Sequence, residues 1–213
     1  MRAAQAKAIE PQVKVFSADE YLVLERAADE RHEWLDGVIY KMSGESPNHS
    51  IINANIITEI NIQLRGKPCI VFSPNMKVRS QLMPTPGMKG LFSYPDTMVV
   101  CGKPLYHDRY QDVVTNPKVI IEILSKSTME YDRGEKFDRY AANKSLTDYL
   151  LVSQTHARIQ HFTRKPRGRW ELVTETKLDR SIVIASIKCK LKLAHVYDRI
   201  EFPPLELVPN TTG

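Results

Sequence analysis

The stretch KVIIEIL, residues 118–124, is a nearly continuous apolar run that contains one acidic residue, Glu122. Such a run predicts a central β-strand that is buried on both faces. An ionised carboxylate inside a buried strand costs several kcal/mol unless it is paired or binds a cation. Glu122 therefore needs either a structural partner or a functional one.

Three elements upstream of this strand have clear local signals. Ser17 followed by Glu20 is a capping-box pattern, which predicts a short helix that runs to about Ala28. Asp36-Gly37 between two apolar segments predicts a β-hairpin. Apolar residues at a spacing of four predict a core-facing helix over residues 49–64, with one face formed by Ile52, Ile56, Ile60 and Leu64.

The remaining segments alternate between strands, loops and helices. We expect a Pro/Gly loop at residues 81–89, a polar excursion at 102–116, a helix at 132–143, a helical turn at 195–197, and strands at 69–72, 75–79, 93–100, 148–152, 158–163, 170–174 and 182–184. This order predicts an α/β (α+β) fold in which a mixed central β-sheet is flanked by helices.

Length and charge set the domain organisation and the broad class of partner. The 213 residues suit a single domain, which we place at residues 16–205 between flexible tails at residues 1–15 and 206–213. The net charge of +5 is a mild basic excess that suits a polyanionic partner without requiring one.

Several classes of protein are disfavoured. Cys69, Cys101 and Cys189 are odd in number and far apart, so we expect neither a disulfide framework nor a zinc cluster, and a cytoplasmic location fits. No apolar run reaches the roughly 18 residues of a membrane span. The glycines do not have phosphate-loop or dinucleotide spacing, so no nucleotide cofactor is expected. His156 and His161 have ligand-like spacing but no third ligand.

The main candidate site combines Pro95-Asp96, near the start of one strand, with Glu122 in a later one. If the two strands are neighbours, both carboxylates converge on one hard cation, and Mg²⁺ commonly takes one or two carboxylates together with water and phosphate oxygens. That donor set suits a metal-dependent phosphodiesterase. The alternative is that Asp96 caps a turn while Glu122 pairs with a buried Arg or Lys.

Further polar side chains are candidates for the same region. Lys136 and Tyr140 are four residues apart on one helix face, so Lys136 either points back toward the strand ends or is simply solvated. Glu33 precedes the Asp-Gly turn and His49 opens the long helix, positions at which charged residues are also commonplace. The basic run at residues 164–169 suits phosphate contact, although such loops are more often only solvated.

With these residues, the chain resembles the Uma2 (Uma-two) family of restriction-endonuclease-like proteins, a bacterial group of the PD-(D/E)XK nuclease superfamily. The resemblance extends over residues 17–202. It is carried by HEWLDGVIYKMSG from residue 32, YPDTMVV from 94, VIIEILSKST from 119, YDRGEKFDRY from 131, DYLLV from 148 and LAHVYDRIEF from 193. The combination of PD, EILS-x-ST and D-x-x-x-K-x-x-x-Y at this spacing is specific.

The resemblance implies a restriction-endonuclease-like core with an acidic site at one end of the sheet. It implies that Asp96 and Glu122 bind Mg²⁺ or Mn²⁺, with the backbone carbonyl of Ile123 as a further ligand. The chain departs from the superfamily pattern at Leu124, where a lysine is usual. The role of that lysine must therefore move elsewhere or be absent.

The family pattern also suggests where the lysine role has moved. A lysine on the following helix is thought to substitute in relatives, and this corresponds to Lys136, with Tyr140 in support. Glu33 matches an additional acidic site residue, and His49 matches the helix-start histidine. Lys126 stands where relatives often have proline and is a rival for the lysine role.

The first hypothesis is therefore a Mg²⁺- or Mn²⁺-dependent DNA endonuclease. By analogy with nucleases of this fold it would be a homodimer, because one active site per strand requires two copies. The alternative is a catalytically weak or inactive nuclease-fold protein that binds nucleic acid or another macromolecule. A third hypothesis is a structural domain with a fortuitous buried acid pair, which would not bind metal.

Overall fold

The computed structural model describes residues 14–80, 90–125 and 128–203. The helices in these ranges are α1 (Ala18–Ala27), α2 (Pro47–Leu64), α3 (Met129–Arg133), α4 (Glu135–Ala141) and α5 (Leu193–Val196). The strands are β1 (His32–Leu35), β2 (Val38–Lys41), β3 (Cys69–Phe72), β4 (Lys77–Ser80), β5 (Leu91–Ser93), β6 (Thr97–Cys101), β7 (Val113–Val114), β8 (Val119–Leu124), β9 (Asp148–Ser153), β10 (Ile159–Arg164), β11 (Trp170–Glu175), β12 (Ser181–Ile184) and β13 (Cys189–Lys192).

The described strands form two larger sheets and a separate hairpin. The first sheet has the order β2-β1-β5-β4-β7, the second has the order β11-β10-β9-β8-β6-β3, and β12 pairs with β13. In the second sheet β8 is parallel to β9 and antiparallel to β6. Every residue of β8 is buried. The predicted mixed sheet flanked by helices, with a central strand buried on both faces, is thus confirmed.

The two faces of the second sheet bury different partners because side chains alternate along a strand. Val119, Ile121 and Ile123 pack in a cluster with α2 and the β12–β13 hairpin. Ile120 and Leu124 pack on the other face, in a cluster that includes Tyr140 of α4. Glu122 has the same parity as Ile120 and Leu124, so it faces α4.

The local signals at the start of the chain are confirmed. Ser17 caps α1 with both bonds of a capping box. The hairpin of β1 and β2 turns at Asp36-Gly37, both with positive φ, as a two-residue turn between twisted strands favours. Helix α2 begins after the cap Ser46, and the four residues predicted for its inner face are all buried.

Two elements are divided where continuous ones were predicted. The strand expected at residues 93–100 is two strands, β5 in the first sheet and β6 in the second, because Pro95 lacks an amide donor and the chain crosses between sheets there. The helix expected at 132–143 is broken into α3 and α4 at Gly134, whose amide bonds back to the carbonyls of Glu130 and Tyr131. The loop predicted at residues 81–89 lies outside the described residues.

The expectation that no disulfide forms is wrong. Cys69 and Cys101 are joined, with sulfur atoms 2.02 Å apart, and Cys189 is a buried free thiol. The cysteines lie directly opposite each other in the antiparallel register of β3 and β6. Their separation of 32 residues conceals this proximity in the sequence. Within the described ranges, no helix is both long and apolar enough to cross a membrane.

Candidate active site

Asp96 and Glu122 meet because of the pairing of β6 with β8. Thr97 pairs with Ile121, so Asp96, just before β6, lies beside Glu122. The Asp96 amide donates to Glu122 Oε2 at 3.3 Å, and the Ile123 amide donates to Asp96 Oδ2 at 2.6 Å. The two predicted acids are therefore adjacent at the point where the chain enters the central sheet.

Lys136 lies in the first turn of α4 and is buried against the acids, so the solvated alternative is wrong. Its Nζ lies 3.0 Å from Glu122 Oε1, 3.3 Å from Glu33 Oε1 and 3.6 Å from Asp132 Oδ1. Burial acts to lower the pKa of Lys136, but the carboxylates, led by Glu122 and Glu33, outweigh it and hold the pKa well above its usual value. Lys136 therefore stays protonated.

Negative charge exceeds positive charge around this lysine. Lys136 pairs with Glu33, Glu122 and Asp132, Asp96 lies beside Glu122, and all five side chains line one cavity. Burial is the main cause that raises the pKa of Glu122, to about 8, with Lys136 opposing and Asp96 adding to the increase. The buried carboxylates therefore repel one another, and a cation bound between Asp96 and Glu122 would offset that repulsion.

Tyr140 and His49 orient the two acids. The Tyr140 hydroxyl donates to Glu122 Oε1 at 2.8 Å and lies 2.9 Å from Ser93 Oγ. His49 Nε2 donates to Asp96 Oδ2 at 3.2 Å. Burial alone would lower the pKa of His49, but the hydrogen bond and charge of Asp96 raise it overall. Both residues predicted as supporting thus contact the acids directly.

Glu33 reaches the site from the hairpin of the first sheet. Its Oε1 accepts the Tyr94 amide at 3.2 Å as well as contacting Lys136. The hairpin turn is tied to α4 by Arg139, which bonds both carboxylate oxygens of Asp36 at 3.0 and 2.6 Å and Glu135 at 2.7 Å. This tie fixes the distance between the strand that carries Glu33 and the helix that carries Lys136.

The Arg139→Met protein is expected to lose about 2–3 kcal/mol of unfolding free energy, because a guanidinium only 2% exposed loses charge-assisted bonds to Asp36. Urea unfolding at neutral pH measures the change. Arg133→Met, on the exposed side of α3, is the matched control and should remain within about 0.5 kcal/mol of wild type. Equal losses in the two variants would contradict the assigned role.

Asp132 was not singled out as a site residue from the sequence. It is buried, lies one helical turn before Lys136 and lines the cavity. The spacing of four in D-x-x-x-K was the available signal. Tyr94, Tyr131 and Gln154 also line the cavity and were missed, because tertiary packing alone brings their segments together.

Other sequence candidates lie apart from this site or outside the described residues. Lys126 is among the residues that are not described. His161 pairs with Asp148 at 2.7 Å and His156 contacts Ser153, so the two histidines do not converge. The basic loop that follows β10 lies at the opposite end of the sheet from Leu124, since Arg164 bonds the carbonyl of Thr147.

The site residues surround one cavity of about 550 Å³. Its acidic and basic lining comprises Arg31, Glu33, Lys41, Glu45, His49, Asp96, Glu122, Asp132, Glu135 and Lys136. The acids and Lys136 form the inner wall, while half-exposed Arg31 and exposed Lys41 also border it. The arrangement can hold a cation, and Arg31 and Lys41 can attract an anionic substrate.

Comparison with known proteins gives a consistent assignment. The family model of Uma2, described as "Putative restriction endonuclease", matches residues 18–194. Two proteins of Synechocystis sp. are similar: "Uncharacterized protein slr1290" is 35% identical and covers 87% of this chain and 93% of its own length, and "Uncharacterized protein sll1609" is 31% identical and covers 76% and 88%.

A solved structure supports the fold. The crystal structure of "a putative nuclease belonging to DUF820" from Anabaena variabilis superposes with a TM-score of 0.67 at 15% identity, covering 84% of this chain and 96% of that one. At this identity the likeness concerns the fold alone. Since the family model spans most of the chain and the two relatives align over most of their lengths, the protein belongs to the Uma2 family.

Proposed function

We propose that this protein is a metal-dependent endonuclease that hydrolyses phosphodiester bonds in DNA. The observation that carries the proposal is the adjacent pair Asp96 and Glu122, with Lys136 3.0 Å from Glu122, in the wall of one cavity. Two adjacent acids and a lysine in the wall of one cavity suit hydrolysis supported by a cation. Membership of the Uma2 family supports the same conclusion.

The donor atoms fit Mg²⁺ or Mn²⁺. Both metals prefer carboxylate oxygens, and among the described residues His49 and the Ile123 amide both bond the Asp96 side chain at Oδ2. No group of three or more His, Cys, Asp or Glu side chains in the described ranges is arranged as a complete metal site. Asp96 and Glu122 would hold the metal, water and substrate would supply further ligands, and the Ile123 carbonyl stays a predicted ligand.

Residues of this chain would have separate roles in the reaction. When bound, the metal would lower the pKa of a coordinated water and screen the scissile phosphate. Lys136 would keep its proton on Nζ and stabilise the negative charge that develops on the phosphate. His49 and Tyr140 would hold the carboxylates of Asp96 and Glu122 in position through the hydrogen bonds described above.

Cleavage of supercoiled plasmid at low salt tests the proposal. Wild-type protein is expected to nick the plasmid with Mg²⁺ or Mn²⁺ and to stop when the metal is chelated. Asp96→Asn, purified in the same way, controls for contaminating nuclease, and Asp198→Asn controls for the loss of an exposed acid outside the site. Nicking by Asp96→Asn at the wild-type rate, or none by the wild type, would refute the proposal for this substrate.

A catalytically inactive binding module is the second candidate. It is favoured by Leu124 at the usual lysine position and by the ion pair that Lys136 makes with a proposed metal ligand, Glu122. This candidate predicts DNA retention without turnover, whatever the residue at position 96.

Thermal unfolding with and without Mn²⁺ tests for the metal site itself. The ion is expected to raise Tm, since saturation at about 100 Kd stabilises the folded state by about 2.7 kcal/mol, and Asp96→Asn should abolish the rise. An equal rise in both proteins would place the bound metal elsewhere. No rise in the wild type would favour a structural domain with a fortuitous acid pair.

A further inference from the structure

One segment of the chain, in and around the β12–β13 hairpin, is strongly basic. Residues 177–192 contain five basic side chains and one acidic one, namely Lys177, Arg180, Lys188, Lys190, Lys192 and Asp179. Their net charge of +4 compares with +5 for the whole chain. This segment comprises β12, β13 and their flanks, far along the chain from every residue of the acidic site.

The hairpin holds its lysines on the outside of a firmly packed element. Ile182, Ile184 and Leu191 are buried in the core cluster shared with α2, whereas Lys190 and Lys192 are exposed. The side-chain amide of Gln63 in α2 bonds both the carbonyl and the amide of Lys190, at 2.8 and 2.9 Å. The outer face is therefore a rigid surface.

No acidic partner neutralises these lysines among the described residues. Lys188, Lys190 and Lys192 are exposed and take part in none of the ion pairs of the described chain. Lys67 adds another positive charge beside them, since its Nζ donates to the Lys188 carbonyl at 2.9 Å. The charge is available to a partner.

The spacing of the lysines matches a phosphate backbone. Lys190 and Lys192 are alternate residues of β13, about 6.6–6.8 Å apart, so their ammonium groups can contact neighbouring phosphates of one DNA strand. Gln63, beside Lys190, lies fourteen residues after His49 in α2, which is about 21 Å along the helix axis or about six base pairs. A duplex of ordinary length is long enough to reach both regions.

We propose that the outer face of the β12–β13 hairpin binds the phosphate backbone of duplex DNA. The proposal rests on the proposed nuclease function, to which it adds a substrate-binding surface separate from the acidic site. The lysines would bind phosphates without reading sequence, so their contribution falls steeply with salt.

Fluorescence anisotropy with a labelled DNA duplex in EDTA measures binding without cleavage. In Lys188→Gln/Lys190→Gln/Lys192→Gln, Kd is expected to rise at least about 10-fold at low salt, and the slope of log K against log salt to fall by about 2–3. Lys165→Gln/Arg167→Gln/Arg169→Gln removes three exposed charges from the β10–β11 loop as the matched control, and its Kd should change less than about 3-fold.

The other outcomes overturn the proposal. If the hairpin variant bound DNA with wild-type affinity, the hairpin face would be excluded as a DNA-binding surface. If both variants lost affinity equally, binding would depend on net charge alone. Lysine-dependent binding to phosphatidylserine vesicles, without duplex binding, would assign the face to a membrane surface instead. If the wild type nicks plasmid and the hairpin variant binds DNA normally, only the proposed binding surface is refuted. If binding depends on the three lysines but the wild type does not nick plasmid, only the nuclease function is refuted.

Discussion

The Glu122→Gln protein is expected to nick plasmid about 1,000-fold more slowly than wild type and to be no less stable at pH 7. The loss of rate follows because Gln carries no charge with which to hold a metal or to offset charge at the phosphate. The stability is retained because the Glu122 carboxylate is buried beside Asp96, and Lys136 keeps its other partners, Glu33 and Asp132.

The direction of the stability change expected for Glu122→Gln follows from the pKa of Glu122. The folded-state pKa of Glu122, about 8, lies above its ordinary value of 4.5. A carboxyl with a raised folded pKa contributes stability below its unfolded pKa and loses it as pH rises through the folded pKa. Relative to wild type, Glu122→Gln should therefore gain stability as pH rises from about 5 to 8, on the order of 4 kcal/mol in all, and level off above that.

Urea unfolding across this pH range measures the stability, and plasmid nicking by the same preparations measures the rate. Glu130→Gln, in the exposed part of α3, is the control and should change neither quantity appreciably. If Glu122 served only as a structural partner of Lys136, its replacement would destabilise the protein at pH 7 and leave nicking intact. That pattern would contradict the assignment.

Local patterns were sufficient to predict the elements that carry the acids. The capping box at Ser17, the Asp36-Gly37 turn, the face of α2 and the apolar run of β8 are each encoded within a few residues. Glu122 stood out because a carboxylate in an apolar strand is costly wherever the strand lies. The core of the fold was therefore predictable.

Features that depend on tertiary pairing were not predictable. The crossing at Pro95 between two sheets and the opposition of Cys69 to Cys101 are set by which strands become neighbours. The burial of Lys136 depends on the hairpin packing against α4, and helix periodicity alone favours a solvated lysine there. The spacing of Asp132 and Lys136 was visible in the sequence, but the burial of Asp132 depends on the same packing.

The buried acids and Lys136 together lower the free energy of unfolding relative to an apolar core. A single buried ammonium pairs with three carboxylates, and a fourth, that of Asp96, lies beside Glu122. A purely structural core would replace this arrangement with apolar side chains. Tyr140, Ser93 and His49 supply hydrogen bonds that hold the acids in place despite their repulsion. Conversion of these acids to neutral residues should relieve strain, whereas removal of the lysine should increase it.

The Lys136→Met protein is accordingly expected to lose about 3–5 kcal/mol of unfolding free energy and to nick plasmid about 100-fold more slowly. The substitution removes the cation shared by Glu33, Glu122 and Asp132 and leaves these carboxylates buried without a partner. The loss should grow from about pH 5 to 8, because those acids must then ionise without compensation. Lys144→Met, at an exposed site, is the control.

A double variant separates the structural role of Lys136 from its chemical role. Glu122→Gln/Lys136→Met should recover part of the stability lost in Lys136→Met, because one of the repelling charges is gone, while nicking stays at the level of Glu122→Gln. Recovery of nicking together with stability would contradict the chemical roles assigned to both Glu122 and Lys136. If the double variant were no more stable than Lys136→Met, removal of the Glu122 charge would bring no relief, and the charge balance inferred for this cavity would be wrong.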